Sequence, residues 1–217
     1  MNTTNLIILL LIIGGLVVAK TIMKSRVNHK IYQSLQNNDE ASYIKTLNSF
    51  SCKMSYPAFD REFMKLTFYM KKNELEKVHD QVSFILNEMN INDSQKIAVY
   101  RQAFYYYIKR ASYKDSKKIL EQAKQLDKYP NVIHAMEISY DVFVEKKANH
   151  IEEIKKKLDN MQESSEGRSN LELMLGLQYA YQGNREDAKV YFQKALDHNE
   201  DAALEQVIHD AMGKYIK

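Results

Sequence analysis

Breakers are scarce in this chain, with two prolines and six glycines among 217 residues. That scarcity favours helices, and apolar residues recur at helical spacing nearly everywhere, so almost no strand is expected. Cys52 is the only cysteine, which excludes an intramolecular disulfide and a cysteine-based zinc site. A lone thiol suits a reducing compartment. The formal net charge is only +3, too small to make a general electrostatic case for nucleic acid.

Chemistry is equally thin. The glycines (Gly14, Gly15, Gly167, Gly176, Gly183 and Gly213) form no phosphate-cradling loop. His29, His79, His134, His150, His198 and His209 show no pair four residues apart and no His-Glu-x-x-His spacing. Glu152 with Lys156 and Glu153 with Lys157 stand four apart, the arrangement of a solvated helix face. No nucleophile, acid–base pair, metal or cofactor site is legible, so no enzymatic role, metal or cofactor is expected.

What is present begins with an apolar run, Leu6 to Ala19. With Thr3–Asn5 before it and Thr21–Met23 behind, it makes a helix of roughly 20 residues, the length expected of a membrane span. No Lys or Arg precedes the run and no convincing cleavage site follows it, which favours an anchor over a signal peptide. Lys20, Lys24, Arg26 and Lys30 follow immediately, and basic residues near a span stay on the cytoplasmic side. The expectation is a single-pass membrane protein with the N-terminus outside, residues 1–26 as anchor and residues 27–217 as a cytoplasmic domain. Gly15 and Ala19 have the small-x-x-x-small spacing that permits homodimerisation of the span.

The second feature is the stretch from Leu175 to Leu196. Leu175, Gly176 and Tyr179 share one helix, Gly183 ends it, and Ala188, Phe192 and Ala195 repeat on one face of the next. Small residues at Gly176, Ala188 and Ala195 allow two backbones to approach closely, with Tyr179 and Phe192 filling the space beside them. This spacing resembles the tetratricopeptide repeat, although the family's early aromatic falls on Glu172 and its closing proline on Glu200. Turn-like breaks near Asn37-Asn38, Lys72-Asn73, Ala111-Ser112 and Lys147 to Asn149 precede Gly183 at intervals of about 36 residues, close to the repeat's length. On this register Tyr107, Ser116, Leu120 and Ala123 match well; Tyr69, Val78, Val82 and Ile85 match with larger residues; Tyr43, Leu47 and Phe50, and then Ile154, Leu158 and Met161, match loosely. Pro57 and Pro130 are placed to begin helices and Asn92-Asp93 to cap one. The residues after Glu200 read as a capping helix.

The resemblance implies an all-α fold, a right-handed α-solenoid of helical hairpins behind the anchor, and a concave groove for protein or peptide partners. Four consecutive aromatics from Phe104 to Tyr107 point all round a helix, so they cannot all enter one core. The register puts Phe104 and Tyr107 inside and Tyr105 on the groove, with Arg101 and Lys109 beside it. Phe63 and Met70, then Leu173, Leu177 and Tyr181, take corresponding groove positions. The function expected is a membrane-tethered scaffold that binds partner proteins or peptides and no nucleic acid, with an exported envelope assembly factor of the same fold as the alternative. Usage rich in Asn, Lys, Ile and Tyr points to an AT-rich, bacterial genome.

Overall fold

The computed structural model describes residues 3–165 and 167–216, with side chains from residue 14 onward. Among the described residues the secondary structure is helical throughout, without strands. The helices are α1 (Thr3–Gln36), α2 (Glu40–Asn48), α3 (Phe50–Ser55), α4 (Ala58–Lys71), α5 (Leu75–Glu88), α6 (Asp93–Lys109), α7 (Tyr113–Ala123), α8 (Pro130–Phe143), α9 (Ile151–Asp159), α10 (Arg168–Tyr181), α11 (Arg185–Asp197) and α12 (Ala202–Tyr215). The chain divides into two compact units, Met1–Val99 and Tyr100–Lys217, and α6 crosses the boundary.

The turns carry the regularity. Asn38, Asn73, Ala111, Lys146 and Gly183 all adopt positive φ, between 53° and 77°. Each falls at or beside one of the breaks expected from the sequence, about 36 residues apart. At four of them the next amide donates to the carbonyl five residues back: Asp39 to Ser34, Glu74 to Tyr69, Ser112 to Tyr107 and Asn184 to Tyr179, at 2.9–3.1 Å. This left-handed cap satisfies carbonyls that a helix end leaves open. The turn at Lys146 departs from the pattern, because Lys147 reaches back one residue further, to Asp141 at 2.9 Å. Local punctuation agrees: Pro130 opens α8, Pro57 stands at the N-cap of α4, and Asn92 and Gln95 exchange reciprocal side-chain and backbone hydrogen bonds at 3.0 Å.

In the first unit α1 packs on α2 and α3, and α4 on α5. Val27, Tyr43, Leu47, Cys52 and Phe68 form one buried cluster. Phe50, expected to pack with Tyr43 and Leu47, is 76% exposed. The helix breaks at Ser49, which ends α2 and caps α3 by accepting from the Cys52 amide, and the break turns Phe50 outward.

Tyr43 stacks on Phe68 with centroids 4.3 Å apart and donates its hydroxyl to the Met64 carbonyl at 3.0 Å. Burial, with a smaller contribution from Cys52, pushes its pKa from 10.0 up to about 12. The folded state therefore holds the proton more tightly than the unfolded chain. The stability this provides is complete below about pH 10 and is lost as pH rises to about 12, a loss of about 2–3 kcal/mol. Denaturant titrations across that window should show a shallower decline in Tyr43→Phe than in the parent; equal slopes would refute the assignment.

The expected single-pass membrane placement, with an outside N-terminus and a cytoplasmic domain, does not hold. Among the described residues no helix is long and apolar enough to cross a membrane. The apolar run of about 14 residues extends about 21 Å at 1.5 Å per residue, short of the roughly 30 Å hydrocarbon core. The flanks needed to complete it carry Asn5 and Lys20. Within that run the side chains of Leu6 to Ile13 lie outside the described residues. The helix itself continues past Arg26 to Gln36, so its second half belongs to the packed unit, with Val27 buried.

The second unit centres on α10, which packs against α8, α9, α11 and α12. Its core joins Val142, Ile154, Leu158, Leu173, Leu175, Ala188, Phe192, Ala195 and Ile208. A Cβ built on Gly176 would stand 2.5 Å from the Phe192 ring, so only glycine lets that ring lie against the α10 backbone. Glu172, where the tetratricopeptide pattern places an aromatic, is 1% exposed. It accepts from Arg168 Nε at 3.1 Å and from His198 Nδ1 at 2.7 Å. Arg168 also donates to the carbonyls of Leu158 and Met161, at 3.3 and 3.0 Å. The carboxylate thus ties α10 to the end of α11 and holds Arg168, which ties α10 to the end of α9.

Candidate functional site

The aromatic run on α6 sorts itself by burial. Phe104 and Tyr107 are 0% and 2% exposed and Tyr106 is 9%, whereas Tyr105 is 41% exposed. Helical geometry leaves one of four consecutive rings facing away from the packed side, and here it is Tyr105. Phe104 braces its ring edge-on at 5.1 Å, and its hydroxyl lies 3.4 Å from Ser139 Oγ on α8.

Two clefts of the second unit open on this ring. The larger, about 980 Å³, is lined by Tyr105, Ile108, Lys109 and Tyr113, by Phe143, Asn170 and Leu173, and by the α11–α12 connection with Leu204 and Val207. The smaller, about 610 Å³, lies toward α8 and α9 and includes Ile138, Ser139, Ile154 and Met174. Tyr105, Phe143 and Asn170 belong to both. Each volume falls in the range of ligand-binding clefts, which combine an apolar lining with a few placed polar groups.

The polar groups beside the smaller cleft are paired with one another. His134 Nε2 contacts Glu153 at 2.7 Å and His150 Nε2 contacts Asp141 at 2.9 Å. Burial alone would raise the Asp141 carboxyl, but hydrogen bonds from Lys147, His150 and Asn149 hold it below the ordinary value. Among the described residues no group of three His, Cys, Asp or Glu side chains is placed to hold a metal ion.

Of the groove positions expected from the sequence, Tyr105, Lys109 and Leu173 line the larger cleft. Arg101 is exposed on α6 but does not line it. Leu177 is buried at 7% exposure, and Tyr181 is half-buried, donating to the Val142 carbonyl at 3.1 Å with its ring edge-on to Tyr215 at 5.7 Å. The end of α12 therefore covers Tyr181, which a bare groove would have left free. Phe63 and Met70 belong to the first unit, Phe63 half-buried against Phe59 and Met70 at 7% exposure. The repeat positions Leu175, Gly176, Tyr179, Ala188, Phe192 and Ala195 are all buried, and Gly183 makes the turn.

The sequence pattern missed Tyr113, Phe143, Leu204 and Val207 as lining residues. Tyr113 and Phe143 sit at helix ends, where periodicity is weakest, and Leu204 and Val207 lie on a helix read only as a cap.

No protein-family model, curated protein or solved structure matches the chain.

Proposed function

We propose that this chain is a protein-interaction scaffold: tetratricopeptide-like hairpins arranged as a right-handed α-solenoid, with the clefts around Tyr105 receiving a peptide segment of a partner protein. The observation that carries this reading is the exposed Tyr105, braced edge-on by Phe104 on the wall of a cleft of about 980 Å³ that Phe143, Leu204 and Val207 also line. Tyrosine supplies large contact area at low entropic cost, and such rings dominate peptide and protein interfaces. The recurrent left-handed turns, and the contact of Phe192 with the α10 backbone at Gly176, support the hairpin architecture.

The test places a photoreactive residue at Tyr113, on the wall of the larger cleft, and another at Val190, an exposed position on α11 that does not line it. The expected result is a discrete protein adduct from position 113 that Tyr105→Ala reduces about tenfold, the loss of about 1.4 kcal/mol typical of one interface anchor. Equal adducts from both positions, or an adduct insensitive to Tyr105→Ala, would show that the cleft is not the binding surface.

A further inference from the structure

Charge in the larger cleft is one-sided. Among the described residues lining it, Lys109 stands against the carboxylates of Glu163, Asp197, Glu200 and Asp201. The smaller cleft is balanced, with Glu153 and Lys157. The two share Tyr105, Phe143 and Asn170, so the balanced cleft and the acidic one meet at these residues. All four carboxylates of the larger cleft are exposed. Asp201 accepts from the Ala203 amide at 2.8 Å and Asp197 from the Gln193 side chain at 2.9 Å, both neutral donors that leave the charge in place. A cleft with a partly apolar lining concentrates the field of such a rim.

We infer that the larger cleft selects a basic segment of its partner: an apolar or aromatic side chain on Phe143, Leu204 and Val207 beside Tyr105, with lysine or arginine next to it facing Glu163 and Glu200. This rests on the reading of the cleft as a peptide-binding surface. Acidic peptides and phosphate-bearing ligands meet repulsion from the same rim. The carboxylates act chiefly on partner choice and association rate, while Tyr105 and the apolar lining supply retention.

The experiment measures fluorescence anisotropy of the full chain with three labelled synthetic peptides. One carries Phe and Leu between lysines, a second replaces each Lys by Glu, and a third replaces Phe and Leu by Ser. The first should bind, the second should not, and the third should bind at least tenfold more weakly than the first. Glu163→Lys combined with Glu200→Lys should weaken the first peptide about tenfold or more and lessen the salt dependence of binding. Asp201 is left intact because it caps α12. If the acidic peptide binds as well as the basic one, and Tyr105→Ala abolishes both, the cleft is a peptide site without the proposed charge preference. If the basic peptide binds but ignores both Tyr105→Ala and the charge reversal, it adheres elsewhere and the inference fails. Failure of every peptide to bind would overturn the inference, while the crosslinking at position 113 would still decide the broader reading independently.

Discussion

Phe192→Ala should lower the unfolding free energy by about 3–5 kcal/mol, the usual cost of removing a fully buried aromatic ring. Phe192 is 0% exposed and lies against the α10 backbone, so its loss opens a cavity between two helices. Against a typical total of about 5–15 kcal/mol, that takes much of the stability of the fold. Urea denaturation followed by circular dichroism measures it. The partner substitution sharpens the test. Gly176→Ala places a methyl group 2.5 Å from the ring, forcing the ring or a helix to shift, at a cost of about 1–3 kcal/mol. Adding Phe192→Leu to Gly176→Ala should cost less than the two single changes together, because the smaller side chain clears the clash. Strict additivity would mean that the close approach is relaxed in solution.

The second large effect belongs to Glu172. Truncation to alanine should cost about 3–5 kcal/mol, since it leaves a hole and strips a buried ion-pair network of its only carboxylate. Arg168 would keep its bonds to the Leu158 and Met161 carbonyls, but its charge and the His198 ring would lose their shared acceptor. Glu172→Gln, which keeps the shape and one acceptor oxygen, should cost clearly less. Thermal and urea unfolding of the two variants separates charge from volume. A Glu172→Ala protein within about 1 kcal/mol of the parent would show that the carboxylate is not structurally important.

The hairpins were legible because their determinants are local. A left-handed turn lies a few residues from the carbonyls it caps, and the buried faces of α5, α7 and α11 repeat at helical spacing, so Val78 and Val82, Leu120 and Ala123, and Ala188 and Phe192 could be read in order. Tyr105 was legible for the same reason: four adjacent rings cannot share one side of a helix. Glu172 was not, because its partner His198 is 26 residues away and no spacing rule connects them. It registered only as an absent aromatic. Leu177 and Tyr181 are expected on an open groove, but Leu177 is buried and Tyr181 packs on Tyr215 of α12, and the pattern within one helix does not reveal which later segment will lie upon it. The N-terminal run failed for a different reason. Its composition is that of a span, but hydropathy must persist over a sufficient length, and here it gives way at Lys20 to a helix half that joins a packed unit.

The left-handed turns bear on how this protein can change. Of the five turns about 36 residues apart, the one at Gly183 holds that conformation without steric penalty, whereas Ala111 and Lys146 adopt φ of 55° and 53° with a full side chain. Such a backbone costs an ordinary L-residue roughly 1–2 kcal/mol relative to the right-handed region. The fold therefore stands below the stability its own topology allows, by an amount comparable to one ordinary destabilising mutation at each of these turns. That margin is open to drift: a lineage that replaced either residue with glycine would gain tolerance for losses elsewhere, including substitutions around Tyr105 that a different partner would demand.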